Sequence, residues 1–374
     1  MQLSIGIIGS RGIPNSYGGF EQFAEYVALG LVKKGHLLSV YNSSNHPYQE
    51  NSWKGVNIIH CTDLENKLGT AGQFVYDLNC ILDARKRHFD ILLFLGYTSS
   101  SVWGRLTPKN TLVISNMDGL EWKRTKYSKP VQEFLGYAEK LAVKHSDFLV
   151  ADSVGIQLYL KERYNIESTF IAYGASVFEN PEEEVIAHYQ LQAGKYNMLI
   201  ARIEPENNIE MILDGFSASE SKNQFIVIGN TNNKFGKHVR HRFKHDKRIR
   251  FLEAIYNMNH INNLRYFSNL YFHGHTVGGT NPSLLEAMSS EALIAAHNNI
   301  FNRSILQNDA FYFMSAEQVR ELCNAIESKI PFQEKVDNNL IKIREKYEWQ
   351  TIIDKYDVFL RECFISKKEQ VVNT

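Results

Sequence analysis

The chain has 374 residues, of which 44% are hydrophobic and 22% are charged, and its 41 basic residues balance 41 acidic ones. This length exceeds what one hydrophobic core usually serves, so two domains are expected. Zero net charge gives no global argument for a nucleic-acid partner, and four scattered cysteines without CxxC spacing indicate neither a zinc site nor a disulfide framework. No apolar run approaches the roughly 18 residues that span a bilayer, so we expect a cytoplasmic protein whose membrane contact, if any, is peripheral.

The chain opens with a strand, a long glycine-containing loop and a helix. Ser4 to Ile8 is an apolar run typical of a buried strand, residues 9–19 form the loop, and Phe20 to Lys34 has helical periodicity with Gly35 placed to end it. A strand that leads into such a loop and a helix is typical of a phosphate site. The loop is too long for a dinucleotide fingerprint, and the next strand ends in Asn42 rather than an acidic residue, so a Rossmann oxidoreductase is disfavoured.

Short apolar runs continue to alternate with helical stretches, which indicates an α/β fold with parallel sheets. In the first half, further strands are predicted at Leu37 to Tyr41, Val56 to His60, Asp90 to Leu95, Thr111 to Ser115, Asp147 to Ala151 and Thr169 to Ala172. In the second half, strands are predicted at Tyr196 to Ala201, Gln224 to Ile228, Arg250 to Leu252, Leu270 to Phe272 and Leu293 to Ala296.

An acidic segment without a clear strand, which follows Ser176, separates these two series. We therefore predict domains at residues 1–175 and 176–350, followed by a C-terminal segment at 351–374. An apolar stripe from Trp349 to Leu360 predicts an amphipathic helix that docks on an existing surface, and Lys367 to Thr374 is interpreted as a frayed tail.

The segment from Phe272 to Met288 carries the strongest functional signal. It combines a glycine turn with an N-cap residue (Asn281), a proline at the first helical position (Pro282) and a carboxylate one turn into the helix (Glu286). Free N–H groups at a helix start can bind phosphates, and Glu286 can accept hydrogen bonds from a ribose diol. The alternative is a glycine loop that caps an ordinary buried helix.

Four motifs, SRGIPNSYGGFE, MDGLEWKR, ARIEPENNIE and GHTVGGTNPSLLEAM, resemble in sequence and order the GT-B glycosyltransferases of family 4. Within that family they resemble a bacterial subgroup that includes rhamnosyltransferases of surface polysaccharide synthesis, whose N-terminal domain was formerly classed as one of unknown function. The resemblance covers nearly the whole chain. It implies two Rossmann-like domains with parallel sheets that face each other across a cleft, the first on the acceptor side and the second binding the nucleotide sugar, with the last helix crossing back to the first domain.

The resemblance also implies the reaction. A sugar would move from a dTDP-, UDP- or GDP-linked donor to a glycan or lipid-linked acceptor, with retention at the anomeric carbon and with neither a metal nor another cofactor. Arg202 matches the arginine that neutralises the departing diphosphate, Asp118 stands where many relatives have a histidine that touches the sugar, and His275 or its neighbour His273 could hydrogen-bond that sugar. A turn-forming role for Asp118 and simple loop packing for the histidines are the alternatives.

The resemblance implies further donor-side residues, which lie in the glycine loops or the Arg202 motif: Arg11, Gly18, Gly19, Asn207, Gly279, Thr280, Asn281 and Glu286. Two positions depart from the family pattern. Gly278 stands where the first of two paired glutamates is expected, and Asn207 stands where a lysine usually follows the arginine. The diphosphate would thus lose one cation, for which Arg11 is a candidate replacement, with an ordinary surface arginine as the alternative. These departures keep open an inactive GT-B scaffold subunit, and an epimerase or hydrolase on the same scaffold is the enzymatic alternative.

Two basic stretches bear on possible partners. Residues 237–250 are rich in lysine, arginine and histidine but poor in aromatic residues, which favours a solvated helix face over a nucleic-acid patch. Residues 122–129 mix aromatic and basic side chains directly after Asp118, which suits anionic headgroups or a lipid diphosphate on the acceptor side. The residues predicted there are Trp122, Lys123, Arg124, Lys126 and Lys129.

Overall fold

The computed structural model describes residues 1–16 and 18–372, with side chains described as far as Glu369. The chain divides into two compact units. The first unit comprises residues 1–123, 128–174 and the segment from Trp349 onward, and the second comprises residues 124–127 and 175–348. Tyr17, in the predicted phosphate loop, and residues 373–374, at the end of the predicted tail, lie outside the described residues.

The first unit is built on one sheet with helices around it. Its strands are β1 (Ser4–Ile8), β2 (Leu37–Ser43), β3 (Ser52–Trp53), β4 (Val56–Cys61), β5 (Ile91–Leu95), β6 (Leu112–Asn116), β7 (Phe148–Ala151) and β8 (Thr169–Phe170). Its helices before the crossing to the second unit are α1 (Gly19–Lys33), α2 (Glu65–Leu68), α3 (Ala71–Ala84), α4 (Lys129–His145) and α5 (Val154–Tyr164), with 3₁₀ turns at Ser101–Leu106 and Glu121–Lys123.

The strand order in this sheet is β3-β4-β2-β1-β5-β6-β7-β8, and the pairings are parallel apart from β3 with β4. The chain leaves β1 toward β2 on one side and returns to β5 on the other, so the loops after β1 and β5 diverge at the carboxyl edge. Gly9 lies at this point with φ +103°, and a Cβ there would be 2.3 Å from the Leu95 carbonyl oxygen. Only glycine permits that approach.

The second unit is also a sheet flanked by helices. Its strands are β9 (Tyr196–Ile200), β10 (Gln224–Ile228), β11 (Ile249–Leu252), β12 (Leu270–His273), β13 (Ile294–His297) and β14 (Phe311–Phe313). Its α-helices are α6 (Glu183–Ala187), α7 (Ile209–Ser217), α8 (Lys234–Arg242), α9 (Met258–Tyr266), α10 (Pro282–Ser289), α11 (Ile300–Leu306), α12 (Ala316–Ala325) and α13 (Gln333–Lys342). Short 3₁₀ turns occur at Pro205–Asn207 and Ile330–Phe332, and a π-helical turn occurs at Ile343–Tyr347.

This second sheet is parallel throughout, in the order β11-β10-β9-β12-β13-β14. Fully buried aromatic side chains from the sheet and α7 fill its core, among them Phe216, Phe225, Phe272 and Phe313. The strand order reverses between β9 and β12, and open parallel sheets bind ligands in the crevice outside the carboxyl ends at such a point. The loops after these two strands are the ARIEPENNIE and GHTVGGTNPSLLEAM motifs.

The last helix, α14 (Trp349–Val372), packs on α1 of the first unit. Trp349 stacks on Tyr26 with ring centroids 4.4 Å apart, and a Cβ on Gly30 would be 2.5 Å from the Ile353 side chain. The predicted docking of an amphipathic helix is confirmed. The prediction of a frayed tail from Lys367 is wrong for residues up to Val372. The helix continues to that residue, and the Lys367 ammonium contacts Asp147 at 2.6 Å.

The alternation of strands and helices was predicted correctly, whereas β3 and β14 were not predicted. The structure also groups residues 124–127 with the second unit, although the sequence assigned them to the first domain. Among the described helices, none is long and apolar enough to cross a membrane.

Candidate active site

Arg202 stands two residues beyond β9, and its side chain is exposed. Asn207, five residues further on, is buried and donates a hydrogen bond from its amide nitrogen to the Arg202 carbonyl oxygen at 2.7 Å. The Asn207 side chain therefore fixes the shape of the loop that carries Arg202. It occupies the position of the missing lysine without supplying a charge.

The loops after β9 and β12 are held against each other. A Cβ on Gly274 would lie 2.0 Å from the Asn207 carbonyl oxygen, so the close approach requires glycine. The Asn208 amide donates to the Gly274 carbonyl at 2.7 Å, and the Thr276 hydroxyl donates to the Glu206 carbonyl at 2.8 Å. The two motifs thus form one continuous rim at the switch point of the sheet.

His273 and His275 stack at the end of β12, with ring centroids 4.4 Å apart. Neither ring nitrogen of His273 has a hydrogen-bond partner among the described residues, and the same holds for Nδ1 of His275. Burial, followed by the nearby charges of Arg202 and Arg124, lowers the pKa of His275 to about 3. Burial, followed by the nearby His275 and Arg265, also lowers the pKa of His273 well below its usual value. Both rings are therefore neutral near pH 7, and His275 can offer a hydrogen bond but not a positive charge.

The start of α10 agrees with its sequence prediction. Asn281 caps the helix by accepting a hydrogen bond from the Ser283 N–H at 2.9 Å, and Pro282 is the first helical residue. Gly278 has φ +142°, a conformation that side-chain-bearing residues rarely adopt, although the space around it is open. The backbone itself therefore disfavours the expected glutamate at position 278. Gly279 and the buried Thr280 complete the turn before the cap.

Glu286, on α10, is held by an arginine that the sequence analysis missed. Arg265 on α9 is only 1% exposed, and its Nη2 lies 2.8 Å from Oε2 of Glu286 and 3.0 Å from the Ser283 hydroxyl. Tyr271 contacts the same hydroxyl at 3.0 Å. The Glu286 side chain is 19% exposed, so one side of the carboxylate is fixed from within the unit while the other faces outward.

The segment Arg124–Tyr127 belongs to the second unit through contacts with the loop after β9. Nη1 of Arg124 lies 3.4 Å from Oε1 of Glu206, and the Thr125 hydroxyl lies 3.5 Å from Oε2 of the same carboxylate. The Lys126 ammonium lies 3.4 Å from Glu204. Arg124 and Lys126, predicted as acceptor-side or membrane-side cations, thus have carboxylate partners in the donor-side loop.

In the first unit, Arg11 forms a two-point ion pair with Glu65, with distances of 2.6 and 2.9 Å. The buried Glu21 carboxylate accepts a hydrogen bond from the Arg11 backbone N–H at 2.7 Å and so shapes the loop after β1. Gly18 has an extended backbone with φ −167°, and Gly19 begins α1. Neither position has the left-handed backbone that would require glycine. Glu65 compensates the charge that Arg11 was predicted to bring to the diphosphate.

Asp118 follows β6 at the same carboxyl edge of the first sheet and is partly exposed. Its charge contributes to the raised pKa of the buried Tyr97 phenol, after burial and the carboxylates of Glu139 and Glu121. The Tyr97 hydroxyl contacts the Gly119 carbonyl at 3.4 Å. Asp118 therefore lies in a turn packed against Tyr97, which is compatible with either of its predicted roles.

An open depression of about 560 Å³ lies beside α4 in the first unit. Aromatic and basic side chains line much of it: Trp122, Tyr137, Lys129, Lys140 and Arg163. The Arg163 guanidinium lies 5.0 Å from the Trp122 ring centroid, and the Lys123 ammonium lies 5.3 Å from it. Of the predicted aromatic and basic segment, Trp122, Lys123 and Lys129 thus remain together in the first unit.

The basic stretch at 237–250 pairs with carboxylates of its own unit. Arg242 contacts both Glu210 and Asp214, and Arg248 contacts Asp246 at 2.7 Å. These contacts compensate several of its charges and favour the interpretation as a solvated helix face. Within the described residues, no group of three or more histidine, cysteine, aspartate or glutamate side chains is arranged to hold a metal ion.

Two mainly parallel sheets, each with flanking helices, define the chain as an α/β protein with the two-domain, Rossmann-like GT-B fold. Residues 2–176 match the sequence model of a domain of unknown function, DUF1972. No curated protein is significantly similar to the chain in sequence.

Three solved structures illustrate the fold similarity. Sucrose-phosphate synthase from Thermosynechococcus elongatus is 15% identical, with a TM-score of 0.77 over 97% of this chain and 99% of that one. HepE from Anabaena, in complex with UDP and glucose, is 14% identical, with a TM-score of 0.73 over 97% and 100%. WaaG, a glycosyltransferase involved in lipopolysaccharide biosynthesis, is 12% identical, with a TM-score of 0.68 over 95% and 98%. At these identities the likeness establishes the fold.

Proposed function

We propose that this protein is a retaining glycosyltransferase that moves a sugar from a nucleoside diphosphate donor to a hydroxyl of a glycan or lipid-linked acceptor. The observation that carries the proposal is the rim at the β9–β12 switch point. There an exposed Arg202, the capped start of α10 and the outward side of Glu286 lie on adjoining elements of one unit. Arg202 and the start of α10 suit a diphosphate, and Glu286 suits a ribose diol.

The proposed chemistry needs no protein nucleophile. The bond from the anomeric carbon to the diphosphate oxygen breaks, and the acceptor oxygen bonds to that carbon from the same face. The acceptor proton passes to an oxygen of the leaving diphosphate. Arg202 and the α10 N–H groups stabilise the growing negative charge, and His275, which is neutral, is the candidate in this unit for positioning the sugar. Asp118 is proposed for a sugar contact from the resemblance of its motif alone. No metal or other cofactor takes part in this scheme.

For the donor, the resemblance of the motifs to rhamnosyltransferases makes dTDP-rhamnose the first candidate. The complex of HepE with UDP and glucose adds UDP-linked sugars as the second, and GDP-linked sugars remain the third. A place in bacterial surface polysaccharide synthesis follows from the same subgroup and agrees with the role of WaaG in lipopolysaccharide biosynthesis. We do not propose a nucleic-acid partner.

We further propose that the protein is cytoplasmic and contacts the inner face of the cell membrane peripherally. Support comes from the depression beside α4, where Lys129 and Lys140 accompany Trp122. The neighbouring helix face exposes Phe134 and Tyr137, the latter at 57%. Exposed aromatic and basic side chains together suit an anionic membrane surface or the phosphates of a lipid-linked acceptor.

The test begins with a thermal-shift screen of wild-type protein against UDP-, GDP- and dTDP-linked sugars. Product analysis with the best donor then follows, with and without acceptor glycans. Transfer of the sugar to an acceptor supports the proposal. Free nucleotide and free or epimerised sugar regardless of acceptor would indicate a hydrolase or epimerase. Donor binding without turnover would indicate an inactive scaffold, for which the departures at Gly278 and Asn207 are the motivation.

A further inference from the structure

The loop that should bind the diphosphate supplies only part of the expected charge. Asn207 is buried and uncharged, and its side-chain amide donates a hydrogen bond to the Arg202 carbonyl oxygen. Arg11, the replacement suggested by the sequence, makes a two-point ion pair with Glu65 in the first unit. Neither residue therefore supplies a second cation from within the second unit.

Arg124 meets that requirement by its place in the structure. Its segment, residues 124–127, groups with the second unit, although the residues on both sides of it belong to the first. The Glu206 carboxylate, only 3% exposed, holds both Arg124 and Thr125, and the Glu206 carbonyl oxygen accepts the Thr276 hydroxyl. Arg124 is thus attached where the loops after β9 and β12 meet.

The Arg124 guanidinium has five N–H donors, so it can bind an anion while it contacts Glu206. Its Nη1 lies 3.4 Å from Oε1 of Glu206, and the side chain keeps 14% of its surface exposed. Its charge reaches His275, whose pKa it helps to lower together with Arg202. The positive charges of Arg124 and Arg202 therefore both influence the surroundings of His275.

We infer that Arg124 supplies the second cation of the donor diphosphate site, in place of the lysine that Asn207 replaces. This inference rests on the proposed function and adds a binding residue to it. The guanidinium would bind diphosphate oxygens opposite Arg202, with Glu206 as the buried group that presents it. Arg124 therefore belongs to the donor site and not to a membrane-facing surface.

The experiment measures affinities by calorimetry for UDP, dTDP or GDP, whichever binds wild-type protein most tightly, and for the corresponding nucleoside. Arg124→Gln should weaken diphosphate binding roughly 10- to 100-fold, the effect of losing one charge-assisted contact, while nucleoside binding changes less than about twofold. Arg124→Lys, which keeps the charge, should fall between wild type and Arg124→Gln. Lys126→Gln is the matched control, because it removes one charge from the same segment, and it should bind like wild type.

Removing Arg124 alone leaves the buried Glu206 carboxylate without this partner, which could disturb the fold. The double variant Arg124→Gln/Glu206→Gln removes both charges and should also lose diphosphate affinity. If the folded double variant binds the diphosphate as tightly as wild type, or loses nucleoside affinity to the same degree, Arg124 is not a diphosphate ligand. If wild-type protein binds no nucleoside diphosphate at all, the proposed function fails, and the role of Arg124 fails with it.

Discussion

Glu286 shows how a buried partner can prepare a ligand-facing carboxylate. Arg265 holds one oxygen from inside the unit, so the carboxylate does not need to be ordered when a ribose arrives. Glu286→Gln keeps the size but removes the charge, and we expect nucleoside diphosphate binding to weaken by about 1.5–3 kcal/mol. Calorimetry on the folded variant is the measurement. Glu210→Gln, on the outer face of α7, should bind normally, and an unchanged affinity for Glu286→Gln would contradict the ribose assignment.

Arg202 is expected to act on the transition state more than on the bound donor. Negative charge on the diphosphate grows as the bond to the sugar breaks, so Arg202→Ala should lower kcat more strongly than it raises the donor KM. Steady-state kinetics with the donor identified by the screen will show this. Arg242→Ala removes an arginine that pairs with Glu210 and Asp214, and it should leave both constants near wild type. A raised KM with normal kcat would limit Arg202 to binding.

At the scale of residues, the sequence revealed the groups whose signals are local. The N-cap at Asn281 and the proline after it follow from neighbouring positions, and the structure confirms both. Arg265 could not be found in this way, because its contact with Glu286 depends on how α9 packs against α10. The pairing of Arg124 with Glu206 joins positions 82 apart and likewise depends on tertiary structure.

The docking of α14 on α1 predicts a strong effect from one side chain. Trp349 stacks on Tyr26 and also contacts the Tyr173 ring, with centroids 5.0 Å apart. Trp349→Ala should destabilise the first unit by about 3–5 kcal/mol, because it leaves a cavity among these rings. Differential scanning calorimetry is the measurement. Ile365→Ala, at an exposed position of the same helix, should change stability by less than about 0.5 kcal/mol. Equal effects of the two substitutions would rule out specific docking through Trp349.

Helix α3 carries a buried carboxyl group that makes stability depend on pH. Burial raises the pKa of Asp77 to about 7 in the folded protein, against 3.8 for an exposed side chain, while the Ser99 hydroxyl donates to it at 2.5 Å. As pH rises, Asp77 therefore loses its proton at a lower pH in the unfolded chain than in the folded protein. The contribution of Asp77 to stability consequently falls as pH rises from about 4 to 7. Above pH 7 the full penalty remains.

Asp77→Asn removes that penalty. It should raise the free energy of unfolding at pH 8 by on the order of 2–4 kcal/mol and change it little at pH 4, as measured by urea denaturation at both values. Asp83→Asn, on the same helix but partly exposed, should show no such gain at pH 8. A stabilisation by Asp77→Asn that is equal at both pH values would mean that ionisation is not the cause.

At the scale of elements, periodicity and apolar runs were sufficient for most of the sheet strands. They failed for β3, which has two residues, and for β14, which has three, because such short strands are defined by their neighbours. The segment from Lys367, predicted as a frayed tail, is helical as far as Val372, and Lys367 contacts Asp147, which lies 220 positions away in the chain. Composition alone gives no information about that contact.

At the scale of the whole molecule, the proposed membrane contact should depend on the cations beside α4. Each lysine near an anionic surface contributes about 1 kcal/mol, so replacing Lys123, Lys129 and Lys140 with glutamine should sharply reduce sedimentation with anionic liposomes. Binding by wild-type protein should fall as salt rises. Donor hydrolysis in water should remain near wild type, while transfer to a lipid-linked acceptor slows.

The control for that experiment is Lys222→Gln/Lys237→Gln, which removes exposed lysines from the second unit. It should leave liposome binding nearly unchanged. If liposome binding by wild-type protein depends neither on salt nor on the triple substitution, these cations do not mediate membrane contact, and a soluble acceptor becomes the next hypothesis. Trp122 and Tyr137 would then be reinterpreted as a surface for stacking sugar rings.

The return of α14 to the first unit has a consequence for synthesis of the protein. On the ribosome, α1 emerges early, but its partner surface beginning at Trp349 is translated only after the whole second unit. At typical elongation rates the delay is on the order of tens of seconds. During that time the apolar side chains of α1 that α14 later covers are open to chaperones or to misassociation. The second unit has its complete sequence first, so the usual order in which N-terminal domains finish folding before later ones should be reversed here.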